Sequence, residues 1–358
     1  MHFHLDPQGS GLHTLAANGI TGIREMYSGI PIGTLAAWRA SPENPRIAVA
    51  GFLDGPLMRV SASTPDAYAV ATADEARLAV DLLKAGGADF LKVYNSLPRN
   101  AYFEIAKQSK RLGIPFAGHV PEAVSPAEAS EAGQRSQEHL INILLACSTR
   151  EEELRGQRIS TMNDPAISAV ERALQLGFPD PQGLFDSYDD AKASALFKTF
   201  VKNDTWQTPT LALLQSFVAD RDRARRTLYM QDLSPESLDM WMARISTLLD
   251  RYKKLVRDMQ RAGVEFLAGT DTGPNNPVPV GIGLHDELEL LVESGFTPME
   301  ALQTATRNPA RYFGTLKEMG TIEPGKLADL VLLTANPLED IRNTRKIKTV
   351  VLRGRIFQ

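Results

Sequence analysis

The sequence lacks the features of disulfide-rich, membrane-spanning and nucleic-acid-binding proteins. It has a single cysteine, Cys147, so no internal disulfide can form. No apolar run approaches the roughly 18 residues that a membrane-spanning helix needs, and the first residues have neither the basic flank nor the apolar run of a signal peptide. A formal net charge of -4 at pH 7 gives no strong field for nucleic acid or an anionic membrane. We therefore expect a soluble globular protein with a small-molecule or dipeptide-sized partner.

What the sequence does contain is a regular alternation of short apolar runs and helical stretches. Eight such runs can be counted: HFHL, ITGIREMY, RIAVAGFLDG, DFLKVY, IPFAGHV, RSQEHL, TWQTPTLALL and VEFLAGTD. The stretch TADEARLAVDLLKAGGA before the fourth run is strongly helical, and Gly86 and Gly87 can terminate that helix. Strands that alternate with helices form parallel sheets, and eight such units close a barrel. The predicted fold class is α/β, a (β/α)8 TIM barrel.

Two segments depart from this alternation. The region from about 148 to 260 is long, charged and helical, which predicts either an enlarged outer helix layer or a lid over the barrel mouth. Near the C-terminus, LADLVLL, IKTVVLRG and IF are separated by turn residues and predict a small β appendage. We expect a barrel domain over residues 1–315 and a small β segment over residues 316–358.

Several metal-ligand side chains lie at the C-terminal ends of predicted strands, where barrel enzymes place their active sites. His2 and His4 share one face of the first strand because side chains alternate along a strand. The full set is His2, His4, Lys92, His119, His139 and Asp271. A lone buried histidine is usually a hydrogen-bonded core residue, but convergence at one barrel end predicts a metal centre.

This set of residues resembles the metal-dependent amidohydrolase superfamily, in its imidazolonepropionase-like and Xaa-Pro dipeptidase-like branch. The resemblance spans nearly the whole chain, since NPARYFG and GTIEPGKLADLVLLTANPLEDI also resemble family segments. It implies that the C-terminal β segment is the remnant of a β-sandwich domain. The family's first sandwich segment and the aspartate two residues before the first histidine are absent. We therefore expect a fragment or a naturally short chain.

The resemblance also implies a cofactor. Lys92 would be carboxylated by carbon dioxide, and its carbamate would bridge two divalent metal ions. A lysine desolvated inside a barrel has a depressed pKa, so its neutral amine can add carbon dioxide. Zinc is the first expectation, with manganese, cobalt and iron open. The metal ligands implied are His2, His4, Lys92, His119, His139 and Asp271.

The implied reaction is hydrolysis of an amide bond by a hydroxide that bridges the metals. The substrate would be a dipeptide, an Xaa-Pro-like peptide or an N-acyl amino acid. Asp271 would be both ligand and general acid/base, taking the proton of the attacking water and delivering it to the leaving amine. Tyr94 and Arg99 are candidate contacts to the oxyanion or to a substrate carboxylate, and His285 is a further candidate substrate contact.

Two alternatives stay open. His119-Val-Pro-Glu122 has the H-x-x-E spacing of the family's one-metal deaminases and imidazolonepropionases, in which Glu122 would move protons, although Lys92 weighs against the one-metal form. An inactive barrel that acts as a binding protein is the second alternative. The cellular location is open: the chain as given reads as cytoplasmic, but an export signal could have been lost with a missing N-terminal segment. A homo-oligomer is also left open.

Overall fold

A computed structural model describes residues 2–57, 64–178 and 181–357. Its strands are short, and all of them except the fourth lie in segments that the sequence predicted as strands. They are β1 (His2–Phe3), β2 (Gly22–Glu25), β3 (Arg46–Asp54), β4 (Ala67–Ala69), β5 (Phe90–Val93), β6 (Phe116–Gly118), β7 (Ser136–Glu138), β8 (Trp206–Thr208), β9 (Leu330–Leu333), β10 (Ile347–Leu352) and β11 (Arg355–Phe357).

Seven of these strands form the barrel wall in the order β1-β2-β3-β5-β6-β7-β8, with every neighbouring pair parallel. The segment of the eighth apolar run closes the ring through two parallel bridges, Gln207 with Phe266 and Phe3 with Thr272. Strand β4 adds to the edge of β3 and was not predicted. The predicted (β/α)8 barrel is confirmed.

Helices surround the barrel. They are α1 (Gly11–Ala17), α2 (Ile32–Ala40), α3 (Ala73–Ala85), α4 (Arg99–Leu112), α5 (Pro126–Glu131), α6 (Ile143–Ala146), α7 (Glu151–Asn163), α8 (Ala169–Gly177), α9 (Pro181–Asp186), α10 (Asp190–Lys202), α11 (Leu211–Ala219), α12 (Arg221–Arg225), α13 (Pro235–Arg261), α14 (Ile282–Glu293), α15 (Pro298–Ala305) and α16 (Arg307–Tyr312). As predicted, α3 ends just before Gly86 and Gly87, and Gly87 adopts a left-handed φ of 93°.

One predicted strand is partly wrong. The run TWQTPTLALL was assigned as a single strand, but β8 stops at Thr208 and LALL begins helix α11. Thr210 has a left-handed φ of 51°, which turns the chain out of the sheet. The backbone N–H of Ala212 then donates to Glu287 Oε2 at 2.8 Å, so the carboxyl group of a residue of α14 accepts a hydrogen bond from the first turn of α11.

The C-terminal segment forms the predicted small sheet. Strand β10 pairs antiparallel with β9 on one side and with β11 on the other. A 3-10 helix, Ile341–Arg345, connects β9 to β10 and packs on α14. The boundary between domains at residues 315 and 316 stays a prediction. Among the described residues, none of the helices is both long and apolar enough to cross a bilayer.

The region predicted as helical from about 148 to 260 is occupied by helices α7 to α13, interrupted by strand β8. Helix α13 is the longest of the described helices, with 27 residues, and its apolar face packs on α11. Part of this helical region lies against the C-terminal ends of the barrel strands, where Met162 of α7 and Tyr252 of α13 line the same cavity as His119.

Candidate metal centre

The two N-terminal histidines lie side by side with Asp271. His2 and His4 face the same way from the start of the first strand, and their Nε2 atoms are 3.2 Å apart. Asp271 Oδ1 is 3.0 Å from His2 Nε2 and 3.1 Å from His4 Nε2. The ligand atoms of these three residues all lie within 4.8 Å of one another, a spacing that suits one metal ion.

The remaining predicted ligands adjoin this group. Lys92 Nζ is 3.5 Å from His2 Nε2, and the side chain is only 1% exposed. The His139 ring lies 4.6 Å from the His2 ring and 4.7 Å from the His119 ring, measured between centroids. The structure therefore brings all six predicted ligands to one end of the barrel, although their roles stay predictions.

Each of the four histidines is held at Nδ1 by another part of the chain. His2 Nδ1 lies 2.9 Å from Glu138 Oε2, and His4 Nδ1 lies 2.8 Å from the carbonyl oxygen of Tyr27. The other two contacts join His119 Nδ1 to Asn95 Oδ1 at 2.7 Å and His139 Nδ1 to Thr210 Oγ1 at 2.8 Å. Such contacts fix the ring orientation and leave Nε2 for a metal. This is the usual arrangement of metal-binding histidines.

The backbone around the site is strained. Tyr27, His139, Thr210 and Asp271 are non-glycine residues with positive φ, between 51° and 79°. Such conformations cost free energy and cluster at functional sites. At Gly118, before His119, φ is 128° and a Cβ atom would lie 2.3 Å from the Val93 carbonyl oxygen, so only glycine fits. The strand ends are shaped to bring these side chains inward.

Burial controls the protonation of the site. It lowers the pKa of His139 to about 3 and, with help from the charge of Lys92, lowers the pKa of His2 and His119. Burial also lowers the pKa of Lys92 to about 8. For Asp271, burial acts to raise the pKa, but His139 and His2 outweigh it and hold the pKa well below its usual range. Neutral imidazoles and an ionised carboxylate are the forms that bind metals.

The donor set fits divalent metal ions. If Nδ1 of His2 and His4 carries the proton that their carboxylate and carbonyl partners require, both Nε2 atoms present lone pairs to each other and to Asp271 Oδ1. Lone pairs that face one another repel, and a metal cation bound between the three atoms would be coordinated by them. Mixed imidazole and carboxylate ligands suit zinc and other transition metals.

The predicted substrate contacts divide into one that reaches the site and three that do not. Tyr94 lines the cavity, and its ring is 4.1 Å from the His119 ring. Arg99 is on the surface and pairs with Glu128. His285 is buried between the Thr344 hydroxyl, 3.0 Å from its Nδ1, and the carbonyl oxygen of Asn18, 3.2 Å from its Nε2.

Glu122 is also held elsewhere. Both of its oxygens accept hydrogen bonds from Arg158 of α7, at 2.7 and 2.8 Å, and the residue is 2% exposed. Among the described residues, those that line the cavity around His119 do not include Glu122. In this arrangement Glu122 joins the loop after β6 to helix α7, which disfavours a role in moving protons.

Sequence reasoning missed the residues that support the ligands. Glu138 accepts a hydrogen bond from Arg24 Nη2 at 3.1 Å and also contacts His2 Nδ1. All three residues are buried. Arg24 lies inside the run ITGIREMY, where a charge needs a buried partner, and Glu138 ends strand β7 directly before His139. That signal was available in the sequence, whereas the contacts of Asn95 and Thr210 depend on loop geometry. Asn276, which donates to Asp271 Oδ2 at 2.9 Å, also lies in a loop.

The site opens into a cavity of about 760 Å³. Five of the predicted ligands, all except the fully buried His2, line its floor, and its walls are largely apolar. The wall residues from the helical region include Met162, Leu176, Phe178, Phe217 and Tyr252. This volume suits a small molecule or a substrate the size of a dipeptide.

Comparison with known proteins identifies the family of this chain. The profile of the Amidohydrolase family matches residues 9–357. The chain belongs to the amidohydrolase family. Ochratoxinase from Aspergillus niger is 29% identical over 202 residues, which cover 56% of this chain and 37% of the ochratoxinase. The chain therefore spans well under half the length of this curated relative.

Solved structures share the fold. A Xaa-Pro dipeptidase with bound methionine in the active site superposes with a TM-score of 0.67 at 19% identity, covering 100% of this chain and 85% of the dipeptidase. The bottromycin amidohydrolase superposes with a TM-score of 0.71 at 22% identity, covering 99% of this chain and 74% of that protein. The resemblance found in the sequence is confirmed at the level of the family and the fold.

Proposed function

We propose that this amidohydrolase cleaves an amide bond in a small substrate, such as a dipeptide, an Xaa-Pro-like peptide or an N-acyl amino acid. The proposed cofactors are two divalent metal ions, with zinc the first choice, together with carbon dioxide that carboxylates Lys92. Known relatives support this class, since ochratoxinase, a Xaa-Pro dipeptidase and a bottromycin amidohydrolase are among them.

One observation carries the proposal. Four buried or partly buried histidines, each held at Nδ1 by the protein, converge with Lys92 and Asp271. Five of these six residues line the floor of one cavity, and His2 lies directly behind it. Purely structural histidines would use both ring nitrogens in the core, as His285 does. Six potential donors also exceed the four ligands of a single tetrahedral ion. The proposed holders of the metals are His2, His4, Lys92, His119, His139 and Asp271.

When bound, two divalent ions would lower the pKa of a water molecule and polarise the amide carbonyl. The remaining chemistry falls to side chains of this chain. Asp271 would accept the proton of the attacking water at Oδ1 and deliver it to the nitrogen of the leaving amine. Asn276 fixes Asp271 by donating to Oδ2 at 2.9 Å, which keeps Oδ1 directed toward His2 and His4.

Tyr94 lines the cavity in which the substrate would bind. Its ring packs against His119 and Phe52 on the cavity wall. We propose that it positions the substrate over the floor of the site. The alternative chemistry of a one-metal deaminase or cyclic-amide hydrolase needs Glu122 as the proton carrier, and the bidentate pair with Arg158 weighs against that role.

The test is a hydrolysis screen of protein reconstituted with zinc and bicarbonate. The panel contains dipeptides, Xaa-Pro dipeptides, N-acetyl amino acids, adenine and imidazolonepropionate, with amine, ammonia and ring opening measured separately. The proposal expects release of an amine from the first three groups. His13→Ala is the matched control, because His13 is an exposed histidine of α1 that does not line the cavity, so this variant should hydrolyse normally.

Other outcomes would overturn the proposal. Release of ammonia or ring opening alone would favour the one-metal alternative with Glu122. If the reconstituted protein binds metal but hydrolyses none of the panel, amide hydrolysis is wrong. Absence of both metal and turnover would favour the inactive barrel as a binding protein.

A further inference from the structure

The catalytic cavity contains a second positive charge besides Lys92. Among the described residues that line it, the lysine and arginine side chains are Lys92 and Arg172. Lys92 belongs to the proposed metal ligands and would be anionic once carboxylated. Arg172 is different, because it comes from helix α8 in the wall and has no contact with the ligand set. It is therefore a cation in the wall of the cavity.

Arg172 is held in place by backbone carbonyls. Its Nη2 donates to the carbonyl oxygens of Asp164 at 2.7 Å and Ile167 at 3.0 Å, and its Nε donates to the carbonyl oxygen of Thr161 at 3.4 Å. A guanidinium group has five N–H donors, and these contacts use three of them. The two N–H groups of Nη1 have no protein acceptor within the described ranges. These contacts fix the orientation of the guanidinium group and leave the N–H groups of Nη1 able to donate to a carboxylate oxygen.

The charge of Arg172 also lacks a counter-ion. On the neighbouring helix α7, Arg155 pairs with Glu151 and Arg158 pairs with Glu122. For Arg172, by contrast, none of the described carboxylates lies within ion-pair distance. The Asp164 carboxylate instead accepts the backbone N–H of Ala166 at 2.8 Å. A partly buried cation held only by neutral carbonyls is a place where an anionic group would be stabilised.

The surroundings of Arg172 are apolar. Met162, Ala169, Ala173, Leu176 and Phe178, all from the same helical region, also line the cavity. An ion pair gains strength where water is excluded, and the aliphatic and aromatic side chains would contact the body of a ligand. The same wall thus offers a charged anchor and an apolar surface.

We propose that Arg172 binds a free carboxylate of the substrate, so that the preferred substrates are amides whose amine part carries a carboxylate and an apolar side chain. This proposal rests on the proposed amide hydrolysis. It names the residue that would bind the carboxylate those substrates share, and it narrows the class to amine parts with an apolar side chain. It also replaces Arg99, which the sequence suggested for a substrate carboxylate and which lies on the surface paired with Glu128. Arg172 is a specificity-determining residue that takes no part in bond cleavage.

The experiment compares two amides that differ only in the carboxylate, N-acetyl-L-phenylalanine and N-acetylphenethylamine. The reconstituted wild type should hydrolyse the first with a kcat/KM about 10- to 100-fold higher, the effect expected of hydrogen bonds to a charged group. Arg172→Met should lose that preference, mainly through KM, while Arg172→Lys should keep part of it. Arg244→Met is the matched control, since Arg244 lies on α13 and lines a neighbouring cavity.

A binding measurement separates this proposal from the proposed function. Calorimetric titration with N-acetyl-L-phenylalanine is run on the Asp271→Asn protein with and without Arg172→Met. Equal losses on both amides in Arg172→Met would indicate that the residue only supports the loop over residues 161–167 and would overturn the proposal. Binding that depends on Arg172 without any hydrolysis by the wild type would refute the proposed function alone. If neither binding nor hydrolysis depends on Arg172, this inference is wrong.

Discussion

The floor and the wall of the cavity are built in opposite ways. On the floor, at the C-terminal ends of the barrel strands, polar side chains are buried and each histidine is fixed by a second residue. In the wall, helices α7, α8, α11 and α13 supply mostly apolar side chains, and Arg172 is the charged exception among the wall residues described. The contrast indicates that the floor carries the chemistry and the wall selects the substrate. Substitutions in the floor should slow the hydrolysis of all amides to a similar extent. Substitutions in the wall should slow the hydrolysis of some amides more than others.

Removing Lys92 should have the largest effect. In Lys92→Ala we expect amide hydrolysis to disappear for every substrate and one of the two proposed metal ions to be lost, because the variant lacks the lysine whose carbamate is proposed to hold both ions. Added short carboxylic acids should partly restore both by entering the space left by the side chain. Metal analysis and hydrolysis rates with and without acetate are the measurements. A Lys92→Ala protein with normal hydrolysis would show that Lys92 does not hold the metal ions needed for the reaction.

Replacing Asp271 should spare the metals and slow the reaction. Asp271→Asn keeps the size and one ligating oxygen but loses the proton acceptor. General acid/base assistance typically contributes about 10²- to 10⁴-fold, so kcat should fall by that factor on an amide. An activated ester should suffer less, because its leaving group departs without a proton. Equal losses on amide and ester would show that Asp271 does not protonate the leaving group.

Removing a side chain that orients one of the proposed metal ligands should have an intermediate effect on metal binding. Asn95→Ala removes the acceptor that holds His119 Nδ1. Loss of such a partner typically weakens metal binding by about 10- to 100-fold. Competition with a chelator measures the affinity, and thermal unfolding of the metal-free protein checks that the fold persists. Asn44→Ala, in the loop before β3, is the control and should bind metal normally. An unchanged affinity in Asn95→Ala would remove the orienting role of this residue.

The smallest effect on activity is expected at Glu287, which joins the barrel to the helical region. Burial raises its pKa from 4.5 to about 8. The folded protein then holds this proton more tightly than the unfolded chain, so the free energy of unfolding should fall as pH rises from 4.5 to about 8. A tenfold difference in proton affinity between the two states corresponds to ~1.4 kcal/mol, so the whole fall is on the order of several kcal/mol.

Glu287→Gln should remove this pH dependence. Urea unfolding of the metal-free protein at pH 5 and pH 9 is the measurement, since metal binding has its own pH dependence. The variant should gain stability relative to the wild type at pH 9 and little at pH 5. Glu289→Gln, on the same helix but partly exposed beside Arg345, is the control. An unchanged pH slope in Glu287→Gln would mean that the carboxyl is not protonated in the folded protein.

The sequence predicted the floor better than the wall. Strand alternation and the rule that barrel sites lie at strand ends were enough to bring His2, Lys92, His119 and Asp271 together. The same rules could not show that LALL is helical, because that change depends on the left-handed turn at Thr210 and on Glu287, which lies 75 residues from Ala212.

Substrate contacts were the least predictable part. Arg99 follows a strand by only a few residues, as an active-site residue would, but its side chain turns to the surface and pairs with Glu128. Arg172 lies in a long helical region with no local motif, and only the folded cavity shows that it faces the site. Side-chain direction on helices that pack over a barrel mouth depends on tertiary packing and leaves little trace in the local sequence.

The six residues of the floor are proposed to form a two-metal site, and metal content tests this without relying on any substrate. Zinc per chain is measured after reconstitution with zinc and bicarbonate, on the wild type and on the His13→Ala control. Both proteins should contain about two ions per chain, because six donors exceed the needs of one tetrahedral ion. A content that stays at one ion per chain, or at none, would refute the two-metal site.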